Sequence, residues 1–222
     1  MERLQICRMA SHDLLSPLNN IRDPVEINRS LEGIRLLAEN MGDIMSNYMD
    51  VMELSASKLR FQIKPVNLRD AIVNVSSQNE SAARDKNIRL RIGAVDGWVR
   101  ADAARLVQAL GNLVSNALKY SPPGSNIKLS TASESGLGWL IVADEGPGIP
   151  PADHGRLFQE FSKLSAWPTG GESRTGLGLW IVKHLVEAQE GQVRAEFPVA
   201  GGSRFSIGFP TLGELAGLDA RR

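Results

Sequence analysis

The strongest constraint lies in residues 102 to 120. There Leu106, Leu110, Leu113, Val114 and Leu118 recur at the spacing of one helical face, so the stretch is an amphipathic helix. Its polar positions are as informative as its apolar ones. Asn112 and Asn116 are four residues apart, and Lys119 and Tyr120 follow one turn further on. Two amides, an ammonium and a phenol on adjoining positions are too polar for a plain core face. Amide carbonyls suit Mg²⁺, a lysine suits phosphate, and a tyrosine ring can cover a base. Taken alone, solvated or capping asparagines fit the same stretch.

Downstream, the chain supplies more of the same chemistry. Asn126 to Thr131 alternates as a strand, and Gly138-Trp-Leu-Ile-Val142 reads as a buried strand leading into Asp144-Glu-Gly146-Pro-Gly148. A carboxylate at a strand end, followed by two glycines, lets a planar ligand approach the backbone. Asp144 can accept a hydrogen bond from an exocyclic amine such as that of adenine, although a tight surface loop reads the same way. Leu157 to Phe161 is a short amphipathic turn, and the aperiodic segment from Ala166 to Arg174 reads as a lid. Thr175-Gly176-Leu177-Gly178-Leu179 then opens a helix running to about Gln189 and closed by Gly191. Backbone N–H groups at such a start form an anion site. Neither a Walker loop nor a dinucleotide fingerprint is present. Gln192 to Phe197 and Ser203 to Phe209 finish the chain as strands of a hairpin around Gly201-Gly202.

The first sixty residues are different in kind. Leu4, Cys7, Ser11, Leu14, Leu18 and Ile21 step by alternating threes and fours. After the break at Asp23-Pro24 the pattern resumes in Ile34, Leu37, Met41, Ile44, Tyr48, Val51 and Ser55. Two long helices with narrow apolar stripes bury them best by pairing two hairpins into a four-helix bundle, so a homodimer is inferred. His12 stands beside the seam with Asp13 next to it and Pro17 five residues on. Asp13 can fix one ring nitrogen and leave the other as a nucleophile, though an ordinary surface histidine reads the same way. Between the two regions, 61–66 reads as an edge strand, 68–86 as one helix, and 87–92 and Trp98-Val-Arg as strands. These are scaffold.

Lys and Arg together number 25, equal to Asp and Glu, so no global field recruits nucleic acid or an acidic membrane. The single cysteine, Cys7, excludes an internal disulfide framework and fits a reducing compartment. No apolar run reaches the roughly 18 residues of a membrane span. A soluble cytoplasmic piece without membrane contact is expected.

The order of these pieces resembles the bacterial sensor histidine kinases of two-component signalling. Ser11-His12-Asp13 through Pro17 resembles their phosphoacceptor box, and Asn112 to Tyr120 their N box. Asp144 to Gly148 resembles the first glycine box, Leu157 to Phe161 the F box, and Thr175 to Leu179 the second glycine box. The resemblance implies an α+β chain. Residues 1–60 would form the helical hairpin of a dimeric four-helix bundle, the dimerisation and histidine phosphotransfer domain. Residues 61–222 would form an α/β-sandwich (Bergerat-type) ATP-binding domain of the gyrase–Hsp90–kinase–MutL type. It further implies an ATP-dependent protein-histidine kinase, a phosphoprotein that phosphorylates itself on His12 and passes the group to an aspartate of a response regulator receiver domain. Asp13 would assist His12. Asn116 would coordinate Mg²⁺ with Asn112 near the phosphates, Lys119 would contact phosphate, and Tyr120 would lie near the base. Asp144, with Gly146 and Gly148 behind it, would bind the adenine amine. Thr175, Gly176, Leu177 and Gly178 would bring amides to the phosphates.

Hydrolytic members of the superfamily carry a glutamate where this chain has Asn112. An amide takes no proton from water, which favours transfer to a protein nucleophile. Three positions depart from the family pattern: Leu15 replaces a basic residue, Ser16 replaces threonine or asparagine, and Arg174 replaces a glycine. Ser16 keeps a hydroxyl for dephosphorylating the partner. The altered Leu15-Ser16 pair motivates an alternative, a degenerate kinase serving as phosphorelay or dimeric scaffold. An ATPase or serine kinase of the same superfamily is a third reading. The chain starts eleven residues before His12, which suggests a fragment or a protein whose input comes from elsewhere.

Overall fold

The structure, a computed structural model, describes residues 60–162, 164–165, 168–169, 176–199 and 201–212. The expected helical hairpin and bundle of residues 1–60 lie outside the described residues, Arg60 apart.

The described part is an α/β sandwich. Strand β1 (Lys64–Asn67) leads into α1 (Leu68–Gln78) and the short α2 (Glu80–Asp85). Strands β2 (Arg89–Ile92) and β3 (Trp98–Ala101) precede the long helix α3 (Ala103–Tyr120). Then come β4 (Asn126–Glu134), β5 (Leu137–Asp144), a 3₁₀ turn (Pro151–Arg156), α4 (Gly178–Glu187), β6 (Gln192–Glu196) and β7 (Ser203–Pro210). Five strands form one mixed sheet in the order β2-β4-β5-β7-β6, in which β2 runs parallel to β4 and the other pairs are antiparallel. β1 and β3 pair separately as an antiparallel ribbon.

The striped helix behaves as its period requires. Leu106, Ala109, Leu110, Leu113, Val114, Ala117 and Leu118 are all buried along α3. They share the core with Ile72 and Val75 of α1, Ile181, Val182 and Leu185 of α4, and Ile127, Leu129, Leu140, Val142 and Ile207 of the sheet. Each leucine, isoleucine or valine among them contributes about 1.5–3 kcal/mol by leaving water, which is why this face fixes the layer arrangement. Alternation sends the intervening residues of β5 to the opposite face. There Trp139 lies flat against Gly208 of β7, and the Arg194 guanidinium sits 3.9 Å from its ring centroid. Glu134 pairs with Arg194 in turn.

Two expected elements are corrected. Residues 68–86 form two helices rather than one, because Asn79 leaves helical geometry at φ −102°, ψ 2°. Its side-chain Nδ2 donates to Val75 O at 2.9 Å, and its backbone N–H donates to Val75 O and Ser76 O. An asparagine that caps carbonyls in this way offers the chain an alternative to the helix. The edge strand sits at 64–67 rather than 61–66.

Candidate functional site

The site is organised along α3. Asp102 caps its start, with Oδ1 accepting from Ala104 N (3.0 Å) and Arg105 N (3.2 Å). The same residue's N–H donates to Gln189 Oε1 at 2.6 Å, and Gln189 Nε2 donates to Leu185 O at 2.7 Å. Gln189 is buried, so the start of α3 and the end of α4 are tied through one side chain. This holds the two helices of the site in register.

One turn before the end of α3, Asn116 faces the beginning of α4. A methyl group at Gly178 would lie 3.7 Å from Asn116 Nδ2 and 3.8 Å from its Oδ1. The N box and the second glycine box, about sixty residues apart in sequence, are therefore neighbours. α4 starts at Gly178, and among the described residues no side chain caps its first amides. Such an end favours an anion. Gly176 holds the approach to it: φ is +69°, and a methyl there would come within 2.8 Å of the Phe161 and Ser162 backbone. The F-box turn and the second glycine box thus meet backbone to backbone. One turn before Asn116, Asn112 has a buried Nδ2 with no hydrogen-bond partner among the described residues. A buried donor without a partner is costly unless a ligand takes it up.

At the C-terminal end of α3 the first glycine box closes in. Asp144 ends β5 on the same face as Val142 and Leu140, the face that carries the helices. Its Oδ1 accepts from Gly146 N at 2.8 Å and from Ser203 N at 3.2 Å. Burial pushes its carboxyl up from the usual range, partly opposed by the hydrogen bonds from Gly146 and Ser203. Gly146 is packed so that a methyl group would lie 3.2 Å from Tyr120 O. Gly202 abuts the Asp144 carbonyl and donates to Gly146 O at 3.0 Å, while Gly148, at φ +73°, packs on Gly202 O.

Asn112, Asn116, Lys119, Tyr120, Asp144, Gly146, Gly148, Gly176, Leu177 and Gly178 are thus all described, and the contacts above join Asn116 to Gly178 and Tyr120 to Gly146. His12, Asp13, Ser16 and Thr175 lie outside the described residues. So does the expected lid at 166–174, except Pro168 and Thr169. In the sequence Ser203 and Gly202 read only as strand start and turn, yet they position Asp144. The doubled glycine at the foot of a strand was the one available signal. Among the described residues no group of three or more His, Cys, Asp or Glu could hold a metal, and no helix is long and apolar enough to cross a membrane. The amide of Asn116 beside an uncapped helix start fits a Mg²⁺ that keeps most of its ligands from phosphate and water. The unpartnered Asn112 and the desolvated Asp144 fit a nucleotide.

Comparison with known proteins agrees with this geometry. Residues 101–213 match the family described as histidine kinase-, DNA gyrase B-, and HSP90-like ATPase. The sensor-like histidine kinase SenX3 of Mycobacterium tuberculosis is 30% identical over 226 residues, covering 95% of this chain and 54% of that protein. The chain spans about half the length of the curated relatives it matches first. Among solved structures, the mycobacterial sensor histidine kinase MprB superposes with a TM-score of 0.58 at 27% identity, covering 67% of this chain and 97% of the other. Histidine kinase ThkA in its complex with the response regulator protein TrrA superposes with a TM-score of 0.70 at 22% identity, over 95% of this chain and 63% of that one, a likeness of fold. With the N box, both glycine boxes and the F-box turn linked by these contacts, the chain belongs to the histidine kinase-, DNA gyrase B- and HSP90-like ATPase family and is homologous to the sensor histidine kinases within it.

Proposed function

We propose that the chain is the core of a dimeric ATP-dependent protein-histidine kinase, with residues 1–60 as dimerisation and phosphotransfer domain and 61–222 as ATP-binding domain. The observation that carries this reading is the juxtaposition of Asn116 with the uncapped start of α4 at Gly178. That arrangement suits a triphosphate with its cation. Asp144 would take the adenine amine through its carboxylate, in a pocket floor held by Gly146 and Ser203. Tyr120 would lie by the base and Lys119 by the phosphates. Mg²⁺, held through the Asn116 amide, would neutralise charge on the phosphates. Phosphoryl transfer needs positioning and charge neutralisation more than covalent help from the protein.

His12 would attack the γ-phosphorus through a ring nitrogen, the bond to the β-phosphate's bridging oxygen would break, and ADP would leave. Asp13 would accept the hydrogen bond that fixes the ring tautomer. An aspartate of a response regulator would then receive the group, with Ser16 available to position water for the reverse task. The complex with a response regulator formed by the fold neighbour ThkA is in keeping with that partner.

The test is incubation of the purified chain with Mg²⁺ and γ-labelled ATP. Phosphohistidine label is lost in acid, survives base, and is absent from His12→Ala and Asn116→Ala. Label persisting in His12→Ala would overturn the assignment of the phosphoacceptor. ATP binding without any label would instead support the degenerate relay or scaffold to which Leu15 and Ser16 point.

A further inference from the structure

The end of α3 is held by a residue that no sequence motif brought forward. Lys86 closes α2, and its side-chain Nζ reaches Leu118 O at 2.8 Å, Lys119 O at 3.3 Å and Thr169 Oγ1 at 2.9 Å. The carbonyls at a helix C-terminus carry the negative end of the backbone dipole, and a half-buried ammonium is their natural partner. Thr169 meets the Lys119 carbonyl independently. Its N–H donates to Lys119 O at 2.9 Å, and its hydroxyl lies 3.2 Å from Lys119 O and 3.0 Å from Ser121 O. The backbone beside Lys86 is itself anchored to the turn after α3, because Asn87 O accepts from Gly124 N and Arg89 N donates to Ser125 O, both at 3.0 Å.

The consequence lies on the other side of these carbonyls. Tyr120 O packs on Gly146, and Gly146 N donates to Asp144. A shift of the helix end by a few tenths of an ångström is thus passed through backbone contacts to the carboxylate proposed to read adenine. Resting on the ATP-binding reading above, we propose that Lys86 is a positioning residue for the nucleotide: its ammonium locks the end of α3 and Thr169 into the one arrangement that aligns Lys119, Tyr120 and the Asp144–Gly146 loop. Lys86 does not touch the nucleotide itself. It acts through main-chain atoms, so its effect is on affinity, with little on the transfer step.

The full chain is titrated with Mg²⁺·ATP by calorimetry, as parent, Lys86→Met, Lys86→Arg, Thr169→Val and the double variant Lys86→Met/Thr169→Val, with urea midpoints measured alongside. Losing charged hydrogen bonds at this junction weakens ATP binding by about tenfold in Lys86→Met. Lys86→Arg, which still presents donors to the carbonyls, retains most of the affinity. Thr169→Val loses less than Lys86→Met, and the double variant loses less than the two single effects combined, because both act on one junction. In a phosphorylation assay the same variants raise KM with kcat nearly unchanged. An unchanged Kd in Lys86→Met, with only the urea midpoint lowered, makes Lys86 a helix cap and overturns the inference while leaving the ATP-binding reading intact. A parent that binds no Mg²⁺·ATP overturns both.

Discussion

Gly176 offers the most direct test of how tightly the site is built. In Gly176→Ala two costs add. The residue stands at φ +69°, where an L-residue with a Cβ loses about 1–2 kcal/mol. The new methyl would also lie 2.7 Å from Phe161 C and 2.8 Å from Ser162 N and O. These are backbone atoms rather than the ends of flexible side chains, so relief needs movement of the F-box turn, at about 1–3 kcal/mol. The sum is a loss of about 2–5 kcal/mol out of the 5–15 kcal/mol typical of a folded domain. Two other glycines separate the contributions. Gly124 has φ +85° with nothing within 4 Å, so Gly124→Ala isolates the backbone term at about 1–2 kcal/mol. Gly111 lies inside α3 with ordinary helical φ and open space, so Gly111→Ala gains about 0.5–1 kcal/mol. Urea unfolding followed by tryptophan fluorescence reports the right region, since all four tryptophans lie between residues 98 and 180. The expected order of stability is Gly111→Ala, parent, Gly124→Ala, Gly176→Ala. Gly176→Ala also weakens ATP binding, because a displaced Gly176 draws Gly178 from Asn116. If Gly176→Ala unfolds no more readily than Gly124→Ala, the meeting of the F-box turn with the second glycine box is not a tight contact and the reasoning fails.

Asp144→Asn keeps an oxygen for Gly146 N and Ser203 N and removes a desolvated charge. Burial raises this carboxyl above its unfolded 3.8, so its contribution to stability declines as pH rises through the raised value. The variant is therefore more stable than the parent at neutral pH, by an advantage that shrinks toward pH 3.8, and it binds ATP more weakly; urea midpoints across pH and calorimetry check both halves. Asp153 has the opposite sign. Hydrogen bonds from the Ser165 N–H and then from Arg156 hold its carboxyl at about 2 instead of 3.8, which stabilises the fold above pH 3.8 and is lost as pH falls toward 2. The stability difference between parent and Asp153→Asn should accordingly close over that window in an acid titration. Gln189→Ala leaves the Asp102 N–H without its acceptor and lowers stability by about 1–3 kcal/mol, read from the urea midpoint.

The placement of the candidate site residues is legible in the sequence wherever chemistry and period coincide. Asn112, Asn116, Lys119 and Tyr120 follow from an 18-residue helix whose apolar stripe sets its rotation. Asp144 follows from its place at a strand end. Its partners were not legible, because Ser203 and Gly202 come from a hairpin about sixty residues later, and only the β5–β7 register brings Ser203 opposite Asp144. Lys86 escaped for the same reason, as nothing local distinguishes it from the other surface-type lysines. The break at Asn79 was missed because a helical period runs through residues that are individually poor helix formers, and one asparagine amide decides the outcome. Gln189, read merely as the end of a helix, holds two helices through its amide.

The β1–β3 ribbon has a further consequence. Val99 pairs with Val66 on one side and forms an isolated bridge with Thr211 on the other. Two strand spacings separate these flanks, about 10 Å. The ATP-binding part is therefore topologically nearly a ring, with the residues that lead into it and those that lead out clasped to a single buried valine. A short linker from Leu212 back to Gln62 would close that ring, and the tight Ser135-Gly136 turn between β4 and β5, at the far end of the sequence order from that junction, offers a place to open it. In such a permutant each contact of the nucleotide site survives while its order of assembly during folding is inverted, with Asp144 and the glycine boxes preceding the helix they close upon.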